Sequence, residues 1–291
     1  MNLSGRREST NVDDRRGSSG KTALGGLGIG GVIIAALLTW VMGGNPMDVV
    51  QQAVTTGGSE VYEQANNGQQ FTPEQEELAK FSRQILAGTE DVWTQVFKDE
   101  GLGEYTPPRM VLYTGSVQTS CGNGTASMGP FYCSGDQCLY IDLSFFSEMK
   151  QQLGADGDFA YAYVIAHEVG HHVEYLLGTL NDTHAQMATA NEVDANKLSV
   201  RLELLADFYA GVWAYHDNKM FSSLEDGDIE EAINCAQVIG DNYLQEKAQG
   251  YSTPESFTHG TSAQRMKWLK LGLQTGDIHK GTTFQCSDAE L

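Results

Sequence analysis

Hydrophobic positions along the chain fall into one long block followed by several periodic segments. The block runs from Leu24 to Met42 (LGGLGIGGVIIAALLTWVM), the length of one bilayer-spanning helix, with Trp40 placed as an interfacial anchor. Residues 44–71 carry few large apolar side chains and read as a linker with a short helix at 46–54. Helical periodicity then appears. Thr72-Pro73-Glu74 is a helix start, followed by Leu78, Phe81, Ile85 and Leu86 on one face. A second helix, 89–97, places Val92, Trp93 and Val96 together. Pro107-Pro108 interrupts the helical pattern, and the runs 109–113 and 139–143 read as strands. Asp156–Asp158 caps a long helix over 159–177 that Gly178 closes. Further helices are expected at 191–215, 229–244 and 261–272, with a loop over 179–191. The pattern predicts an α+β, mainly helical domain over 72–291, with a small sheet near 105–145 and one transmembrane helix before it.

Charge adds an orientation. The 291-residue chain has a net charge of −20, but residues 1–21 are net positive, with Arg6, Arg7, Arg15, Arg16 and Lys21. The apolar block at 22–43 therefore reads as a signal anchor. Residues 1–21 form a cytoplasmic tail, and the acidic remainder lies in the periplasm or outside the cell, giving a single-pass protein of the inner membrane. A cleaved signal peptide and a buried core helix are the alternatives for that block. The acidic balance excludes an electrostatic nucleic-acid binder. All five cysteines follow the block, and export would place them where disulfides persist. Cys121–Cys133 is the preferred pairing, although connectivity is not fixed by sequence and an odd count leaves a free thiol.

The chemistry lies in His167-Glu168-Val169-Gly170-His171, in the middle of the 159–177 helix. Histidines at i and i+4 share a face, so both imidazoles can reach one metal ion. Glu168, between them, is placed to take a proton from a water activated by that metal. A catalytic zinc needs a third protein ligand. Glu203 and Asp207 lie at i and i+4 on the later helix: one can ligate while the other orients a histidine. His172 points about 100° from His171 and reads as structural. His259 and Arg265 are both candidates to stabilise charge developing on a scissile carbonyl. Tyr140, Ile141 and Asp142 are candidates to pair with an extended substrate. His184, His216 and His279 have no partner pattern and read as surface or capping residues.

HExxH followed by ExxxD resembles the gluzincin group of zinc metallopeptidases. More closely, the chain resembles the neutral zinc metallopeptidase family of bacterial membrane-anchored proteins. The matching stretches are NVDDRRG (11–17), TEDVWTQVF (89–97), CGNGTASMGPFYC (121–133), LYIDLSFF (139–146), AHEVGHHVE (166–174), RLELLADFYAGVW (201–213) and SFTHGTSAQR (256–265). The resemblance implies a zincin-like domain. His167, His171 and Glu203 would hold one Zn2+ per chain, Glu168 would be the general base, and Asp207 would sit behind His167. The expected activity is hydrolysis of peptide bonds in a peptide or protein substrate, with an endopeptidase expected. A non-catalytic envelope protein using the zincin fold for binding is the rival reading, and the intact Glu168 argues against it. A third reading is a peptidase whose site is covered by the 179–191 segment.

Overall fold

The computed structural model describes residues 1–17 and 71–291. Four strands form the main sheet: β1 (Val12–Asp14), β2 (Arg109–Tyr113), β5 (Phe131–Cys133) and β6 (Cys138–Asp142), in the order β1-β2-β6-β5. The first two pairings are parallel, with Val12 opposite Met110 and Arg109 opposite Cys138. The outer pair, β5 with β6, is antiparallel, with Cys133 opposite Cys138. A separate hairpin joins β3 (Ser116–Thr119) to β4 (Gly122–Thr125). The disulfide Cys121–Cys133 is present and ties the start of β4 to the end of β5. Cys138 and Cys235 are free and buried, and Cys286 is free.

Eight α-helices are described: α1 (Pro73–Asp99), α2 (Ser144–Glu148), α3 (Asp158–Leu176), α4 (Thr179–Met187), α5 (Glu192–Phe221), α6 (Asp228–Val238), α7 (Asp241–Gln249) and α8 (Ser262–Thr275). α1 opens with the expected Thr72 cap and capping box. It is one continuous helix where the sequence suggested two. Residues 84–90 are wholly buried, so tertiary packing carries the helix through Gly88. A Cβ at Gly88 would meet Arg6 Nη2 at 2.7 Å and Asp217 Oδ1 at 2.9 Å, so this glycine makes room for an ion pair and does not end the helix. The helix expected at 229–244 is two, α6 and α7. The chain turns at Gly240, where any side chain would collide with the Ser262 backbone 2.4 Å away. The 179–191 segment is mainly the helix α4 and not a loop.

The main apolar cluster is enclosed by α1, α3, α5, α8 and part of the sheet, and a smaller one joins Val111, Tyr113, Val117, Cys133, Cys138 and Tyr140. Trp93 of α1 meets Tyr209 of α5 edge to face, with ring centres 5.5 Å apart. Phe159 of α3 stacks on Trp213 of α5.

The N-terminal residues belong to this same body. Besides pairing β1 with β2, they dock through charge. The α-ammonium of Met1 lies 2.6 Å from Asp158 and 3.1 Å from Asp228. Partly buried Arg6 pairs with the buried Asp217 at 2.7 Å. Arg7 holds Glu90 and Asp91. Arg16 pairs with Asp14 and lies over the ring of Phe71 at 4.1 Å.

This corrects the membrane reading. Residues 22–43, the expected linker up to residue 70 and the short helix at 46–54 lie outside the described residues. Among the described residues no helix is long and apolar enough to cross a membrane. A single crossing at 22–43 would also put β1 and β2 on opposite sides of a bilayer, although they are hydrogen-bonded neighbours. Neither the cytoplasmic tail at 1–21 nor the single-pass inner-membrane placement, with attachment through one helix, is compatible with that pairing.

Candidate metal centre

α3 carries the motif. Its first turn is held from outside: Glu231 of α6 accepts the Phe159 backbone N–H at 3.1 Å, one of the donors a helix start leaves unpaired. One helical turn separates His167 from His171, and their rings meet edge to face with centres 4.9 Å apart. α5 passes close by because position 170 is glycine: a Cβ there would sit 2.9 Å from the Ala206 carbonyl oxygen. That close crossing brings Glu203 between the two imidazoles. His167 Nε2 is 3.1 Å from Glu203 Oε2, and His171 Nε2 is 3.5 Å from Glu203 Oε1. One ligand atom from each of the three residues lies within 4.8 Å of the others.

The far nitrogens are also held. His167 Nδ1 donates to Asp207 Oδ1 at 2.8 Å, and His171 Nδ1 donates to Glu174 Oε2 at 2.9 Å. Each ring therefore turns Nε2 toward the same point. Two imidazole nitrogens and a carboxylate, each imidazole backed by a carboxylate, form the donor set that suits Zn2+ with a position left open. These residues fit the ion.

Asp207 sits in a closed network. Arg265 clamps it with Nε to Oδ2 at 2.8 Å and Nη2 to Oδ1 at 2.9 Å, and the Tyr163 hydroxyl also donates to it. Burial would raise this carboxyl, but Arg265 and His167 outweigh it and hold the pKa at about 2. Burial would lower His167, but Asp207 and Glu203 lift it to about 9. Burial likewise opposes ionisation of Glu203, yet His171 and His259 drive its pKa well below the usual range. Glu168 is pushed up by burial against the pull of the two histidines, which suits a group that must take and release a proton.

The centre opens into a cleft of about 570 Å³. His167, Glu168, His171, Glu203, His259 and Arg265 line it together with mostly apolar side chains: Met128, Pro130 and Phe131 on the sheet side, Leu180 and Met187 from α4, and Leu202 from α5. His259 reaches the cleft from the loop before α8. Its Nδ1 lies 3.1 Å from the buried Asp241 carboxylate, which also accepts the backbone N–H groups of Thr258, His259 and Gly260. His259 and Arg265 thus share the cleft wall but differ in chemistry, because the guanidinium is committed to Asp207.

The substrate-strand expectation moves. Tyr140 is paired on both sides, to β2 and to β5. Ile141 and Asp142 are buried and paired to β2, and the Asp142 carboxylate caps Gly115 and Ser144. The outer strand beside the cleft is β5, a short run with no strong alternation to mark it. His172 is structural: Nε2 donates to the Thr106 carbonyl at 2.7 Å and Nδ1 accepts from Tyr132 at 2.9 Å. His216 caps α8 through Gly276, His279 pairs with Glu100, and His184 lines the cleft. Sequence reasoning missed Glu174. Its place three residues after His171 was the available signal, because i and i+3 share a helix face.

A helix-borne pair of histidines with an intervening glutamate, joined by a glutamate from a second helix, forms a candidate metal centre. The chain belongs to the family described as "Putative neutral zinc metallopeptidase", which matches residues 1–284. It is 47% identical to "Uncharacterized protein YpfJ" of Escherichia coli (strain K12) over 290 residues, covering 98% of this chain and 99% of that protein. It is 42% identical to "Uncharacterized protein Mb2605" of Mycobacterium bovis over 194 residues, covering 63% of this chain and 64% of that protein. No solved structure matches the chain.

Proposed function

We propose that the protein is a zinc-dependent endopeptidase, with one Zn2+ per chain held by His167, His171 and Glu203. One observation carries this reading. The three candidate ligands converge beside Glu168 in a single cleft, and both histidines are fixed from behind by buried carboxylates. Zinc bound there supplies Lewis acidity, polarising the scissile carbonyl and acidifying a water. Glu168 takes the proton of the attacking water and delivers it to the leaving amine. Asp207, locked by Arg265, fixes the tautomer of His167. His259, held by Asp241, stabilises charge developing on the carbonyl oxygen from the cleft wall. An extended peptide runs along β5, the outer strand of the sheet.

Glu168→Gln tests this. The variant is expected to bind zinc at full stoichiometry while cleavage of an unfolded protein substrate falls by about 10²–10⁴-fold, the range for loss of a positioned acid–base group. Undiminished cleavage would remove Glu168 from the mechanism.

A further inference from the structure

The two histidines are supported unequally. Behind His167, Asp207 has Arg265 and Tyr163 as additional partners. Behind His171, Glu174 is fully buried on α3, and among the described residues its ion-pair partner is His171. Its second oxygen, Oε1, is buried without a hydrogen-bond partner. No Arg or Lys joins Glu174 in an ion pair among the described residues, as Arg265 does Asp207.

A buried carboxylate with a single imidazole as its ion-pair partner is costly, and an apolar side chain would fill the same space on a core-facing helix at less expense. The geometry suggests what offsets that cost. Glu174 sits directly behind a ring whose opposite nitrogen faces Glu203 and the cleft. The positive charge available to it is the imidazole and whatever cation that imidazole holds. We propose that Glu174 is the positioning residue for His171. It accepts the Nδ1 hydrogen, keeps the Nε2 lone pair aimed at the metal and adds negative charge through the ring. This rests on the reading of His167, His171 and Glu203 as a metal site. Glu174 touches neither substrate nor reacting atoms, so its effect lies on metal affinity and ligand-field geometry.

The test uses the full chain as wild type, Glu174→Gln and Glu174→Leu. Zn2+ affinity is measured by competition with a chromophoric chelator, and the visible absorption of Co2+-substituted protein reports the ligand geometry. Glutamine keeps an acceptor for Nδ1 and loses the charge; leucine loses both. The expected order is wild type, then Gln about tenfold weaker, then Leu about 100-fold weaker with an altered cobalt spectrum. The metal-free variants are expected to match the wild-type near-UV circular dichroism. If Leu fails to fold, the affinity and cobalt spectrum of Gln decide the matter. Variants that bind zinc like wild type with an unchanged cobalt spectrum would overturn the proposal and leave the metal site standing. A wild type that binds no zinc would overturn both.

Discussion

Gly170→Ala is the sharpest probe of how the centre is assembled. In an exposed helix this change gains about 1 kcal/mol, because alanine is the better helix former. Here the added carbon would lie 2.9 Å from the Ala206 carbonyl oxygen, 3.0 Å from its Cα and 3.2 Å from its Cβ. Carbon contacts favour about 3.5–4.0 Å, so α3 and α5 must separate by roughly half an ångström. The obstacle is backbone, which cannot swing aside as a side chain would. Overpacking of this kind costs about 1–3 kcal/mol, and the propensity gain offsets part of it. A net loss of about 1–2 kcal/mol is expected, lowering the melting temperature of the metal-free protein by roughly 3–6 °C. The same separation draws Glu203 away from the histidines, so zinc affinity is expected to fall by about tenfold. Urea denaturation of the metal-free protein and chelator competition with zinc measure the two effects. A variant as stable as wild type with unchanged zinc affinity would refute the claim that this crossing sets the ligand spacing.

Two further outcomes follow from the buried charges. Arg6→Ala leaves Asp217, which is 1% exposed, without its partner; it is expected to cost about 3–5 kcal/mol in denaturant unfolding, and a loss below 1 kcal/mol would mean that the N-terminal segment is not docked as described. Burial lowers the His172 pKa from 6.5 to about 4, so the folded state favours the neutral ring. The stability this contributes is fully present above pH 6.5 and is lost as pH falls through 4. The difference is roughly 3 kcal/mol, and the slope between those limits should shrink in His172→Phe.

Much of the helical layout was legible because its signals are local. The Thr72 cap, the apolar periodicity around His167 and the strand at 109–113 each depend on neighbours within one or two turns. What escaped depends on distant partners. Gly88 reads as a helix breaker until Arg6 and Asp217 are placed against it. β1 is a charged three-residue run, Val-Asp-Asp, that becomes a strand only because β2 lies beside it. The positive charge at the start of the chain reads as an orientation signal for a membrane. In the folded protein Arg6, Arg7 and Arg16 are spent on Asp217, Glu90, Asp91 and Asp14. At the candidate metal centre the histidine pair was legible from spacing, whereas spacing left Glu203 and Asp207 open as the third ligand and the family resemblance singled out Glu203. Glu174 and the Arg265 clamp were not read: spacing puts Glu174 on the His171 face, but only the fold shows which carboxylate ends up behind which ring.

The docking of the first residues has a consequence for biosynthesis. Arg6 finds its partner 211 positions further along the chain, and the α-ammonium of Met1 finds Asp228 227 positions further. At about 5–20 residues per second, the N-terminal segment is synthesised roughly 10–45 s before Asp217 and Asp228 exist. The sheet partners of β1 are complete once β6 has been made, at Asp142, but the partners of Arg6 and Met1 follow only with Asp217 and Asp228, so the docking of this segment is among the last native contacts to form.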